Sequence, residues 1–382
     1  MNSIKTADIK VGDIISSDSF ILDNLFFLPQ NTPLTDIYIN LLIKWNIEDI
    51  ITKDGINSKN ENSKGSKENN TKNDKEVEQK DTQKVESPKQ IISNIEGIDV
   101  EFFNKYKNWI FLTMSFFTSI IKNKTIDKDR VSSFIIEIRD TILKQKSQFL
   151  KIIAQEIEGI PYIYKETLET MTLAILISKS MNYNVYTSNN LIFATLFHDI
   201  GMLTVPINII NKKEALTEEE IIVLKSHTIK GFKYLQAVGY SPVIASGALQ
   251  HHERLDGEGY PYKVRGDKIS EVAKIISVLD SYCASISEKP SKPIPIHAKA
   301  AVQELLKGSG TQYDTDVINH LIKNISFYPI GITVILSDER IASVLDISGV
   351  PMRPIVKIDG TNEELDLSKN QNIFIKGVVK NT

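Results

Sequence analysis

The sequence predicts a mainly α-helical protein with a small α+β module at its start and a β-rich tail, and three observations predict it. Apolar residues recur at helical spacing through the middle of the chain, as in Phe102, Tyr106, Trp109 and Ile110, then Val131, Phe134, Ile135, Ile138 and Ile142. Short apolar runs broken by glycine and proline open the chain. Similar runs close it, separated by turn signals at Pro329-Ile330-Gly331, Ser348-Gly349 and Asp359-Gly360.

Taken in order, residues 1–53 hold the runs Phe20 to Leu22 and Leu25 to Leu28, interrupted by Gly12, Pro29 and Pro33, then a helical pattern through Tyr38, Leu41, Leu42 and Trp45. This is the α+β module. Residues 54–92 turn to Lys, Asn, Glu, Ser, Asp and Gln, with Ile56, Val77 and Val85 the larger aliphatics over most of the stretch. Such a segment buries too little surface to offset its ordering entropy, so a disordered linker is expected. Residues 93–160 form helices that precede the core, 161–325 the helical core, and 326–382 the β-rich tail. No fixed-period repeat is present, which argues against a solenoid or propeller.

Composition sets limits. At 382 residues and 41% apolar content the chain can bury a substantial core. A net charge of −3 argues against coating duplex nucleic acid, which needs a basic surface. With Cys283 as the one cysteine, no intramolecular disulfide is available and a cytoplasmic location is expected. The opening MNSIKTADIKVGD lacks a signal-peptide core. The densest apolar stretch, Trp109 to Ile121, includes Thr113, Ser115, Thr118 and Ser119 and is too short to span a bilayer, so a soluble protein is expected.

Chemistry concentrates in one region, where four of the six histidines fall between 198 and 252. Leu191, Ala194, Thr195 and His198 share a helical face, and Gly201 is placed to end that helix just beyond His198-Asp199. Thr217 to Glu220 fits a capping box that starts a helix carrying Leu224, His227 and Gly231 on one face. A glycine one turn after His227 would admit a close neighbour. After another helix comes His251-His252-Glu253-Arg254-Leu255-Asp256-Gly257-Glu258-Gly259-Tyr260-Pro261, and Asp280 follows. A single histidine at a helix end is more often a packing residue, and His297 and His320 are read as structural for want of matching neighbours. The grouped set differs, because imidazoles and carboxylates gathered in one fold are the ligands of a metal site able to activate water.

The run HDIGMLTVPINIINKKEALTEEEIIVLKSHTIKGFKYL, followed by HHERLDGEGYP and VLDSYCASISEKP, resembles an HD-GYP domain, the branch of the HD phosphohydrolase superfamily that hydrolyses cyclic di-GMP. The likeness covers roughly 160 to 345, about half of the chain, and HHExxDGxGYP is its most diagnostic element. The opening IKVGDIISSD and the stretch YPIGITVILSDERIASVLD are similar to the first module and tail attached to such domains.

The resemblance implies an HD-type all-helical catalytic core. It puts metal ligands at His198, Asp199, His227, His251, His252 and Asp280, a substrate loop at Gly259-Tyr260-Pro261, and phosphate-binding cations at Lys289 and Lys292. Asp199, bridging two ions, and Tyr260, orienting the loop or a base, are the residues expected to be catalytic.

The chain also departs from the family pattern. Glu166 stands where a first histidine is usual, and a carboxylate there is expected to serve as a further metal ligand. Met202 replaces a lysine, Cys283 an aspartate, Lys289 an arginine and Ser291 a tyrosine; lysine keeps the charge but loses the bidentate fork. These changes favour two divalent ions, iron or manganese, over three. The expected ligand is cyclic di-GMP. The linker is compatible with a protein partner acting through the first module, or with tethering alone. Two alternatives follow from the departures: a receptor that binds cyclic di-GMP without turnover, and an HD phosphohydrolase for another nucleotide, which the intact GYP loop disfavours.

Overall fold

The computed structural model describes residues 2–17, 19–21, 25–28, 34, 36–44, 47–57, 98–153, 160–287 and 298–379. The chain divides into two compact units, Met1–Glu96 and Gly97–Thr382.

In the first unit, β1 (Asn2–Lys5), β5 (Asp49–Thr52), β3 (Ser19–Ile21) and β4 (Leu25–Leu28) form one antiparallel sheet in that order, and β2 (Ile14–Ile15) pairs with β6 (Ile56–Asn57). Phe20 and Ile21 of the first apolar run fall in β3 and Leu25 to Leu28 form β4, while Leu22 lies outside the described residues. Strand pairing runs past residue 53, because Ile56 reaches back to Ile15, a buried core residue. Helix α1 (Asp36–Lys44) contributes Tyr38 and Leu42 to the same core, with Leu34, Ile47 and Ile50. Trp45, Pro29, Pro33 and the low-complexity stretch from residue 58 onward lie outside the described residues.

The second unit opens with α2 (Val100–Thr118), capped by the Asp99 carboxylate, which accepts from Phe102 N at 2.9 Å. This helix is buried on most of its surface, and Trp109 stacks on Phe149 with centroids 5.5 Å apart. Helices α3 (Lys128–Lys144) and α4 (Lys146–Ile153) complete the leading group. Among the described residues no helix is long and apolar enough to cross a membrane.

The core follows as α5 (Tyr162–Ser180), α6 (Val185–Phe197), the short α7 (Ile207–Ile210), α8 (Glu218–Lys225), α9 (His227–Ala237), α10 (Pro242–Gln250), α11 (Glu271–Ile286), α12 (Ala298–Lys307) and α13 (Thr315–Ile322). Helix α6 packs on α5 and α10, α9 on α10, and α11 on both α5 and α10. Small residues allow these approaches: a Cβ on Gly247 would lie 2.9 Å from both the Ala194 methyl and Ile276 Cδ1. The end of α6, the start of α9, the end of α10 and the middle of α11 therefore meet.

The tail is an antiparallel sheet in the order β10 (Glu364–Asp366), β9 (Ile355–Ile358), β8 (Ile341–Asp346), β7 (Thr333–Leu336) and β11 (Ile375–Val378). Val334, Leu336, Ala342, Val344 and Val356 alternate along its strands to form its own apolar cluster. The architecture is thus the mainly α chain with α+β start and β-rich end that the sequence predicts.

Two local expectations are corrected. Gly201 does not end α6, whose C-cap is His198; the chain runs on into a 3₁₀ turn over Ile200–Thr204. Glycine is needed there because a Cβ would lie 1.9 Å from the His227 carbonyl oxygen. The helix expected to run from Thr217 through Gly231 is divided at Ser226, whose hydroxyl bonds back to Val223 O at 2.6 Å, so His227 begins a new helix rather than sitting within one.

Candidate metal centre

Four imidazoles arrive at the meeting point by different routes. His198 caps α6, His227 opens α9, His251 caps α10 and His252 follows it. In three of them Nδ1 is committed to the preceding turn: His198 to Thr195 O at 2.8 Å, His227 to Leu224 O at 2.6 Å and His251 to Gly247 O at 2.9 Å. A carbonyl can only accept, so each Nδ1 carries the proton and each Nε2, when the ring is neutral, presents a lone pair.

Those Nε2 atoms converge on Asp199. Its Oδ1 lies 3.3 Å from His227 Nε2 and 3.4 Å from His251 Nε2, while its Oδ2 lies 3.9 Å from His198 Nε2. His198 Nε2 is also 3.5 Å from Asp280 Oδ1. Two ligand groups result, each with its donor atoms within 4.8 Å of one another: Asp199, His227, His251 and His252, and separately His198, Asp199 and Asp280. Asp199 belongs to both.

Charge in this cluster is unevenly placed. Burial opposes an imidazolium at His198, but Asp199 and Asp280 outweigh it and lift its pKa to about 9. Burial would raise the Asp199 and Asp280 carboxyls, yet His198 and its neighbours hold both below the ordinary range. His227 and His252 are driven down, by burial first and then, at His252, by His251. Two buried atoms, His198 Nε2 and Asp199 Oδ1, have no hydrogen-bond partner among the described residues. Buried polar atoms are nearly always bonded, so orphaned ligand atoms that face one another across a nitrogen and oxygen set fit a divalent metal site.

Glu166 is the predicted ligand that the structure does not gather into either group. It is buried on α5 at 2% exposure. There, behind burial itself and Glu169, it helps to raise the pKa of the Cys283 thiol. Met202 packs with Val205 and Ile209 in an apolar cluster. Lys289, Lys292 and His297 lie outside the described residues. His320 bonds the Ser180 hydroxyl at 2.7 Å, a packing role far along the chain from the cluster.

The loop after His252 closes against the centre. The Tyr260 ring stacks on His252, centroids 4.7 Å apart and planes 26° from parallel. Burial, then Asp199 and Asp280, push the Tyr260 phenol far above its usual range, so it stays an O–H donor. Gly259 leaves no room for a side chain, since a Cβ would lie 2.5 Å from Arg254 N and His252 O. Glu253, buried at 2% exposure, accepts from Tyr262 N at 2.7 Å and Val264 N at 3.1 Å and so clamps the loop from beneath. Asp256 pairs with Arg254 at 2.6 Å and accepts from Glu258 N at 2.9 Å, which makes it a loop-shaping residue. Both acids thus shape the loop, and an acid directly after two histidines and before a glycine-rich turn is a natural acceptor for loop N–H groups.

Comparison with known proteins places these residues in context. Residues 137–317 match the HD domain family. The cyclic di-GMP phosphodiesterase PdeB of Borreliella burgdorferi is 29% identical over 95% of this chain and 90% of its own. The cyclic di-GMP phosphodiesterase PA4108 of Pseudomonas aeruginosa is 28% identical over 64% of this chain and 59% of its own. Among solved structures, Bd1817, an HDG"Y"P protein of Bdellovibrio bacteriovorus, aligns with 84% of this chain and 97% of its own at a TM-score of 0.51 and 13% identity, a likeness of fold.

Proposed function

We propose that this chain, whose residues 137–317 match the HD domain family, hydrolyses cyclic di-GMP to the linear dinucleotide, with further cleavage to GMP open to the same site, and that it does so with two divalent ions. The observation that carries the reading is the shared membership of Asp199 in two ligand groups. The relatives' activity supports the substrate, since PdeB is similar along nearly its whole length.

In this reading Asp199, common to both groups, would serve both ions, His198 and Asp280 would hold one, and His227, His251 and His252 would hold the other. Glu166 was expected beside His198 and Asp280, but its carboxylate lies outside that group. Histidine and carboxylate ligands suit iron or manganese. Bound divalent ions supply a water of lowered pKa and positive charge at the phosphate. The protein's part is to hold the ligands still: the carbonyls of Thr195, Leu224 and Gly247 fix three ring tautomers before any ion arrives. Tyr260, as an O–H donor against His252, orients the Gly259-Tyr260-Pro261 loop that substrate meets. Lys289 and Lys292 would steer the dianion. Residues 161–325 form the hydrolytic domain, with 93–160 as its leading helices, 326–382 as its tail and 1–53, beyond the linker 54–92, as a module open to a protein partner. A cytoplasmic location fits this reading and the single cysteine, Cys283.

The test is incubation of the purified protein with cyclic di-GMP and manganese or ferrous iron, with products followed by chromatography. Linear dinucleotide is expected. A second reading, a receptor without turnover, is favoured by Met202, which puts an apolar side chain in the place of the family's lysine, and by Glu166, which stands in the place of the family's first histidine and lies outside both ligand groups. Tight binding with no product over hours would establish it instead.

A further inference from the structure

Lys225 ends α8, two residues before His227, and its exposed ammonium lies over the Tyr260 ring, 5.0 Å from the centroid. The Tyr260 ring in turn stacks on His252 at 4.7 Å. Those two separations laid end to end bound the distance from the ammonium to the metal-ligating imidazole, so the cation stands at the rim of the centre. It forms no ion pair with Asp199 or Asp280 or with any other carboxylate among the described residues. Neighbouring cations differ: Lys212 is paired with Glu220 at 2.6 Å and Arg254 with Asp256 at 2.6 Å. A lysine in the last turn of a helix also favours the helix dipole, but that role would leave the side chain free in water rather than folded onto a particular aromatic ring.

A cyclic dinucleotide carries two phosphodiesters on opposite sides of one ring. If one lies at the ions, the other must be met away from them, and an unpaired anion held against a protein surface needs a cation there. Lys225 and His252 both pack on the Tyr260 ring, and Lys225 has no acidic partner among the described residues. We propose that Lys225 contacts the second, non-reacting phosphate of the cyclic substrate, with the Tyr260 ring as the platform that holds the ammonium in place. It is a substrate-binding residue for the second phosphate. The inference rests on the phosphodiesterase reading for its substrate.

The experiment compares wild type, Lys225→Gln and Lys225→Arg with cyclic di-GMP and with GpG, which has a single phosphodiester and no second phosphate. Loss of a charge-assisted contact should raise KM for cyclic di-GMP about tenfold in Lys225→Gln, with most of the loss recovered in Lys225→Arg and metal content at the wild-type level. The penalty for GpG should be much smaller. An equal penalty for both substrates, an unchanged KM, or a loss confined to kcat would overturn the assignment. Calorimetric titration of cyclic di-GMP into each protein loaded with calcium separates the two readings. A wild type that binds but does not turn over removes the phosphodiesterase reading, while weaker binding by Lys225→Gln still supports Lys225 and equal binding overturns it.

Discussion

Asp199 Oδ1 and His227 Nε2 face each other at 3.3 Å, and the other nitrogen of that ring is already bonded to Leu224 O. His227 thus cannot turn its protonated nitrogen toward Asp199 without breaking a short bond to the end of α8. Both groups point bare acceptor atoms at one another, an arrangement that a cation between them relieves and that protons relieve only in part.

The protonation pattern makes the metal-free protein sensitive to pH on both sides of neutrality. His198, raised from 6.5 to about 9, contributes stability that is complete below its unfolded value and lost as pH rises through about 9. At most this amounts to about 3 kcal/mol. His227 and His252 are lowered, so their contribution is present above the ordinary imidazole value and lost as pH falls below it. Thermal melts of chelator-treated protein should therefore peak near neutral pH and decline toward about pH 9, and adding manganese should flatten the alkaline decline. A melting temperature that stays level over the alkaline range without metal would contradict the assignment of a charged His198.

Gly201→Ala tests the backbone contact beneath His227. The added methyl would meet the His227 carbonyl at 1.9 Å, a main-chain atom that can move only by shifting the start of α9. A loss of about 1–3 kcal/mol in urea titration is expected, together with reduced metal content. Wild-type stability and full metal would show that α9 shifts freely.

Glu166→Gln separates expectation from geometry. Family likeness suggests a ligand at this position, but the carboxylate lies outside both groups and beside Cys283. The variant should keep its full complement of manganese by elemental analysis. Loss of one equivalent would place Glu166 in the coordination sphere.

Most of the site is legible in the amino-acid sequence because its members are chemically rare and closely spaced: two histidines in succession, a His-Asp pair and a glycine-rich acidic turn. The helical core is legible from period alone, and the tail from its turn residues. What escapes depends on contacts between segments distant in sequence. Gly201 reads as a helix stop in one dimension and is a contact with His227 in three. The break at Ser226 turns on one hydroxyl bonding backward. Lys225 looks like any exposed helix-end lysine until the loop folds Tyr260 beneath it.

The most direct measurement is the metal content of Asp199→Ala, by elemental analysis after loading with manganese and desalting. Because both ligand groups include this carboxylate, wild type should hold two equivalents and the variant should lose both together while its far-ultraviolet circular dichroism stays helical. Retention of wild-type metal by the variant would contradict a centre built around Asp199.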